Sequence, residues 1–286
     1  MRDLPPLSLS ILGVEPLDEF IKEIADFVHH MIVTRPDVAG TVEVEAKIGV
    51  LRDKASAQRI ALPVLVESSP CFASAVLRRT DPRSPRPRHR RLPLRVEHVR
   101  PQNQHKHYNA LLNNLMATAP SAQLKYSHLH LVDSFYADAQ DKVRVTRDEQ
   151  TGTVTACVRK VRLGDLNVYS PKRAADWRVS VNLEVPVQHP LGTPTHTRKK
   201  DRMSYAHEEF NIDLTKVTSA SSPAAPVQTL YELELEIARP EILLATAATR
   251  GDVNLPEHER SAFDELIRAF VNNARILVRN ASDGWQ

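Results

Sequence analysis

The sequence predicts an α+β protein: a closed, eight-stranded antiparallel β-barrel with a polar lumen, flanked by helices. Three observations lead there. Eight segments alternate polar and apolar residues, and amphipathic helices stand towards the two ends of the chain. Most of those segments carry a fully polar face, which leaves little apolar interior for a conventional barrel. Two of them carry rows of glutamates.

The elements follow in chain order. Leu17 to Val33 repeats Leu17, Phe20, Ile21, Ile24, Phe27, Val28 and Met31 at helical spacing, with Asp18 and Glu19 in the first turn and Pro36 beyond the end. Thr41 to Val50 switches to strand alternation. Ser68 to Arg95 is rich in proline and arginine, and Thr80 to Arg91 reads as a mobile loop. Gln104 to Ala117 is helical through Tyr108, Leu111, Leu112, Leu115 and Met116. Seven strands follow: Tyr126–Tyr136, Lys142–Arg147, Val154–Val161, Trp177–Val185, Arg198–Tyr205, Phe210–Leu214 and Leu230–Ile237. Asp148 to Gly152 fits a hairpin turn. Thr218 to Gln228 reads as a flexible Ser/Pro loop, and Phe263 to Val278 as a last amphipathic helix. The expectation is one domain over 1–286, with flexible loops at about 78–95 and 218–229.

Composition narrows the class. The formal net charge is only +3 over 286 residues, so local charge matters more than the total. Cys71 and Cys157 form no C-x-x-C pair, which fits a reducing compartment and offers no thiolate metal site. No apolar run approaches the ~20 residues that span a bilayer, and the first residues lack the build of a secretory signal.

The chemistry lies in the polar strand faces. Glu43, Glu45 and Lys47 share one face of their strand; Glu232, Glu234 and Glu236 share one face of the last. One such strand alone reads as an exposed charged face. Stacked carboxylates repel unless a cation neutralises them, and hard divalent ions such as Mg²⁺ or Mn²⁺ take oxygen ligands. The basic faces hold Arg144, Lys160 and Arg162, then Arg178 with Ser180, Asn182 and Glu184, then Arg198, Lys200 and Arg202; Asp213 and Thr215 share a further face. In a closed barrel these faces line the lumen. Carboxylates beside many lysines and arginines suit a polyphosphate with its metal.

Val42 to Gly49 and Tyr231 to Glu236 resemble the two glutamate motifs of the triphosphate tunnel metalloenzymes. The nearer resemblance is to the fungal mRNA-capping RNA 5′-triphosphatases (beta subunit), through Asp141–Val145, Arg159–Leu166, Arg178–Glu184, Lys200–Tyr205 and Ile212–Val217, in family order. The resemblance implies hydrolysis of the γ-phosphate from 5′-triphosphate-ended RNA, the first step of capping. It implies that Glu43, Glu45 and Glu236 ligate a divalent cation, supported by Glu232 and Glu234. Arg144, Lys160, Arg198, Lys200 and Arg202 would hold phosphate oxygens, with Arg178, Arg162 and Lys47 beside the substrate. Glu184 would orient or deprotonate water, and Asp213 and Thr215 would position basic groups or water. It further implies a nuclear protein, a guanylyltransferase partner and a homodimer. Two alternatives stand: a tunnel enzyme acting on tripolyphosphate or nucleoside triphosphates, and a non-catalytic phosphate-binding barrel.

Other signals read more plainly. His105-Lys106-His107 and His128-Leu129-His130 have spacings a metal could use, but no third ligand stands in register, so a solvent-facing or half-buried strand is preferred for the second. The arginine-rich loop reads as solvated chain rather than an RNA contact. Trp177 and Trp285 give no ladder for stacking bases.

Overall fold

The computed structural model describes residues 11, 18–53, 56–69, 94–98, 102–118, 124–137, 142–220 and 225–281. In chain order the elements are α1 (Glu19–Val33), β1 (Thr41–Asp53), β2 (Leu94–His98), α2 (Gln102–Thr118), β3 (Lys125–Ala137), β4 (Lys142–Asp148), β5 (Val154–Val168), β6 (Asp176–Pro186), β7 (His196–His207), β8 (Phe210–Ser219), β9 (Gln228–Ile237), α3 (Pro240–Thr249), α4 (Glu257–Arg260) and α5 (Ala262–Arg279). Eight antiparallel strands follow one another as β1-β6-β5-β4-β3-β7-β8-β9, and β9 pairs back onto β1 to close the ring. β2 stands outside the ring, paired with the Gly49–Asp53 end of β1.

Strand alternation decides which way each side chain points. The apolar faces point outward: Val42, Val44, Ala46 and Ile48 of β1, Trp177, Val179, Val181 and Leu183 of β6, and Leu233, Leu235 and Ile237 of β9. They pack in one core with Ile24 and Val28 of α1, Tyr108 and Leu112 of α2, and Phe263, Ile267 and Phe270 of α5. Each such burial stabilises by about 1.5–3 kcal/mol. The main core therefore lies between barrel wall and helices, and the lumen is left to polar side chains.

Two glycines serve this geometry. A bulge between Arg162 and Gly164 bends β5, and a Cβ at Gly164 would come 2.5 Å from the Met31 sulfur of α1. Gly152, at φ 70°, closes the β4–β5 turn, where the Asp148 carboxylate accepts from the backbone of Gln150 and Thr151.

The strands run longer than the periodicity indicates, and the Ser/Pro loop is shorter. Thr218 pairs with Thr229 and Ser219 with Gln228, so β-ladder takes both ends of the expected 218–229 loop. Residues 221–224 of that loop, and the Thr80–Arg91 loop, lie outside the described residues. β2 forms where the basic stretch ends. No helix among the described residues is long and apolar enough to cross a membrane.

Candidate active site in the barrel lumen

Cross-strand register sets the acidic wall. Glu43, Glu45 and Lys47 of β1 are Cα partners of Asn182, Ser180 and Arg178 of β6. On the other side of β1, Glu45 faces Glu236 and Lys47 faces Glu234. The Asn182 amide donates to Glu43 Oε2 at 3.0 Å and to Glu45 Oε1 at 3.4 Å. Lys160 ion-pairs with Glu43 and lies 3.5 Å from Glu45. Lys47 Nζ sits 2.5 Å from Glu234 and 3.6 Å from Glu45.

These charges do not balance evenly. Burial, with Glu234 and Glu43 adding to it against Lys47 and Lys160, raises the Glu45 carboxyl to about 7. Burial and the charges of Glu43, Asp213 and Glu45 push Glu236 up to about 8. Burial also opposes ionisation of Glu234, but Lys47 and Arg202 outweigh it and hold that carboxyl well below the usual range. The wall thus has one locked carboxylate and two that a cation would stabilise in ionised form.

The basic wall is built on β3, β4, β7 and β8. Arg198 Nη2 and Lys200 Nζ reach the same Asp133 oxygen at 3.0 and 2.8 Å, and Thr146 donates to the other at 2.7 Å. Burial works against the Asp133 anion, yet Lys200, Thr146 and Arg198 bring its carboxyl down to about 2. Burial lowers the Lys200 ammonium, with Arg198 and Arg202 adding to the effect. Arg202 bonds Asp213 at 2.7 Å and Thr215 at 3.1 Å, and lies 3.7 Å from Glu234. Arg144 Nη2 meets Glu184 at 2.7 Å, while its Nε is buried without a hydrogen-bond partner. A buried, unpaired guanidinium N–H is costly unless an acceptor arrives, and a phosphate oxygen is a suitable one.

The ring brings Glu43, Glu45, Glu232, Glu234, Glu236, Lys47, Arg144, Lys160, Arg178, Glu184, Arg198, Lys200, Arg202, Asp213 and Thr215 to inward register positions. Arg162 shares that face as the Cα partner of Asn182, just ahead of the β5 bulge, but 72% of its side chain is exposed and it pairs with Asp165 at 3.2 Å. Sequence reasoning missed Asp133, a fully buried acid among apolar neighbours. The available signal was its isolation: a charged side chain between Leu131 and Phe135 on one strand face must find partners.

The donor set fits a hard divalent cation. Glu43, Glu45 and Glu236 offer carboxylate oxygens on two adjacent strands, and two of these groups are destabilised as anions by burial and mutual repulsion. Lys160 and Lys47 take part of that charge in this structure.

Fold and lumen together define a barrel of the triphosphate tunnel class. The narrower assignment rests on sequence: residues 14–283 match the family "mRNA capping enzyme, beta chain", and the chain belongs to that family. An mRNA-capping enzyme subunit beta of Schizosaccharomyces pombe is 31% identical, over 98% of this chain and 87% of that protein. Its counterpart in Cryptococcus neoformans is 32% identical, over 96% of this chain but 65% of that protein, so the chain spans just under two thirds of that relative's length. The structure of the S. pombe Pct1 RNA triphosphatase superposes with a TM-score of 0.80 at 31% identity, covering 98% of this chain and all of that one. The same protein has been seen in complex with the Spt5 CTD.

Proposed function

We propose that this chain is an RNA 5′-triphosphatase that performs the first step of mRNA capping. The observation that supports this best is the meeting, inside one closed ring, of a β1–β9 carboxylate wall with Arg144, Lys160, Arg198, Lys200 and Arg202. A pure anion binder gains nothing from carboxylates that repel its ligand.

A Mg²⁺ or Mn²⁺ held by Glu43, Glu45 and Glu236 supplies charge neutralisation and polarisation at the phosphate oxygens. The protein supplies position and electrostatics, which dominate phosphoryl transfer through a loose transition state. Arg198, Lys200 and Arg202 donate to the γ-phosphoryl oxygens, and the free Arg144 Nε adds a further donor. Asp133 fixes Arg198 and Lys200, and Asp213 with Thr215 fixes Arg202. Glu184, oriented by Arg144, takes a proton from the attacking water. The new P–O bond forms to that water as the bond to the β-phosphate oxygen breaks. The products are a 5′-diphosphate end and inorganic phosphate.

The family supports a guanylyltransferase partner and work in the nucleus, and the S. pombe complex supports docking of a similar CTD peptide. A homodimer is part of the same reading. The test compares phosphate release from γ-labelled triphosphate-ended RNA, ATP and tripolyphosphate with Mg²⁺ or Mn²⁺. Release from RNA supports the reading. Release from tripolyphosphate alone supports the broader tunnel phosphohydrolase, and binding without release supports a non-catalytic barrel.

A further inference from the structure

We propose that His128, His130 and Asp201 form a second metal site, on the outer face of the barrel, that takes a borderline transition cation of the Zn²⁺ class. The site shares no residue with the lumen and stands independently of the capping assignment.

His128 and His130 occupy alternate positions of β3, so both project from one face. His130 is the Cα partner of Asp201 on β7. That register puts the aspartate opposite a His-x-His pair, a third ligand 71 positions further along the chain from His130. Among the described residues, theirs is the group of His, Cys, Asp or Glu whose ligand atoms all lie within 4.8 Å of one another. His128 Nε2 is 2.5 Å and His130 Nδ1 3.9 Å from Asp201 Oδ1, and the two imidazole rings are 4.5 Å apart.

These spacings bracket the need. Zinc bonds of about 2.0–2.2 Å at tetrahedral angles place ligand atoms roughly 3.4 Å apart. The three side chains are 38–49% exposed, so each can turn by the small amount required. Two imidazoles and one carboxylate suit Zn²⁺, Cu²⁺ or Ni²⁺ better than Mg²⁺, and one or more positions stay open to water. The β1–β9 wall of the lumen, by contrast, offers carboxylate oxygens, which are hard donors. The two sites therefore sort cations by chemistry. A bound ion would tie β3 to β7 on the outside, along the same strand pair whose inner face holds Asp133, Arg198 and Lys200.

The test is equilibrium dialysis of the full chain against Zn²⁺ with Mg²⁺ in large excess to occupy the lumen. The H128N/H130N double variant and the separate D201N variant are compared with the native protein, each first checked for native circular dichroism and Mg²⁺-dependent phosphate release. The expected result is one Zn²⁺ per native chain that is lost in the double variant and weakened at least tenfold in D201N. Thermal midpoints should agree: Zn²⁺ at a hundredfold excess over its Kd raises the native value by about 5 °C and leaves the double variant unmoved. Equal Zn²⁺ uptake by native and double-variant chains, or no uptake by the native chain, overturns the site.

Discussion

Glu45 and Glu236 face one another across the seam where β9 closes onto β1. Burial raises both carboxyls, to about 7 and about 8, and the Glu45 charge adds to the repulsion that Glu236 feels. Such acids hold protons in the folded chain that the unfolded chain, with carboxyls near 4.5, has already released. Without metal, stability therefore falls as pH rises from that value towards 8. A divalent cation must displace those protons, so its affinity rises with pH, by up to about tenfold per unit for each proton released. Titration calorimetry with Mn²⁺ at roughly pH 6 and pH 8.5 checks this; the expected binding is tighter at the higher pH.

Asp133 titrates in the opposite sense. Its folded value of about 2 is depressed, so its contribution is present above the ordinary value of 3.8 and disappears as pH falls through 2. The amount is about 2 kcal/mol. Asp133→Asn should remove that acid-side dependence in urea melts. It should also lower kcat/KM by about 10²-fold, because Arg198 and Lys200 lose their common anchor.

Glu184→Gln keeps size and polarity but cannot take a proton. The expected loss in kcat is roughly 10²–10³-fold, with KM little changed and metal binding intact. Single-turnover phosphate release together with Mn²⁺ titration measures both. A large rise in KM at unchanged kcat would instead make Glu184 a binding group.

Away from the lumen, Arg59 grips the fully buried Asp176 through two bonds of 2.9 and 2.7 Å, and Asp176 also accepts from the backbone of Leu51 and Ser170. Asp176→Ala leaves two backbone amides without their acceptor and takes the counter-charge from Arg59, which keeps the Arg173 and Ser170 carbonyls. It should cost about 3–5 kcal/mol in denaturant melts while leaving kcat at room temperature unchanged.

Much of this was legible in the chain because strand alternation carries both structure and chemistry. Glu43-x-Glu45-x-Lys47 and Glu232-x-Glu234-x-Glu236 state their shared faces directly, and the ordered basic strands imply what those faces meet. Three things were not legible. Asp133 lacks a charged neighbour on its strand face, so its partners Arg198 and Lys200, some 65 residues away, appear only in the β3–β7 register. α3 is apolar nearly all round, which gives no helical period to read, although Leu243 and Ala247 are buried. The third is the β5 bulge between Arg162 and Gly164, which shifts the register by one residue so that Asp165 rather than Gly164 meets Ser180, and which has no signature in the charge pattern.

The most direct test of the lumen account is phosphate release from γ-labelled triphosphate-ended RNA by the native chain and by Glu43→Ala, with Mn²⁺ present. Native release that falls by about 10²–10³-fold in the variant is the expected result. Release that persists at the native rate in Glu43→Ala would contradict a carboxylate-held cation between β1 and β9.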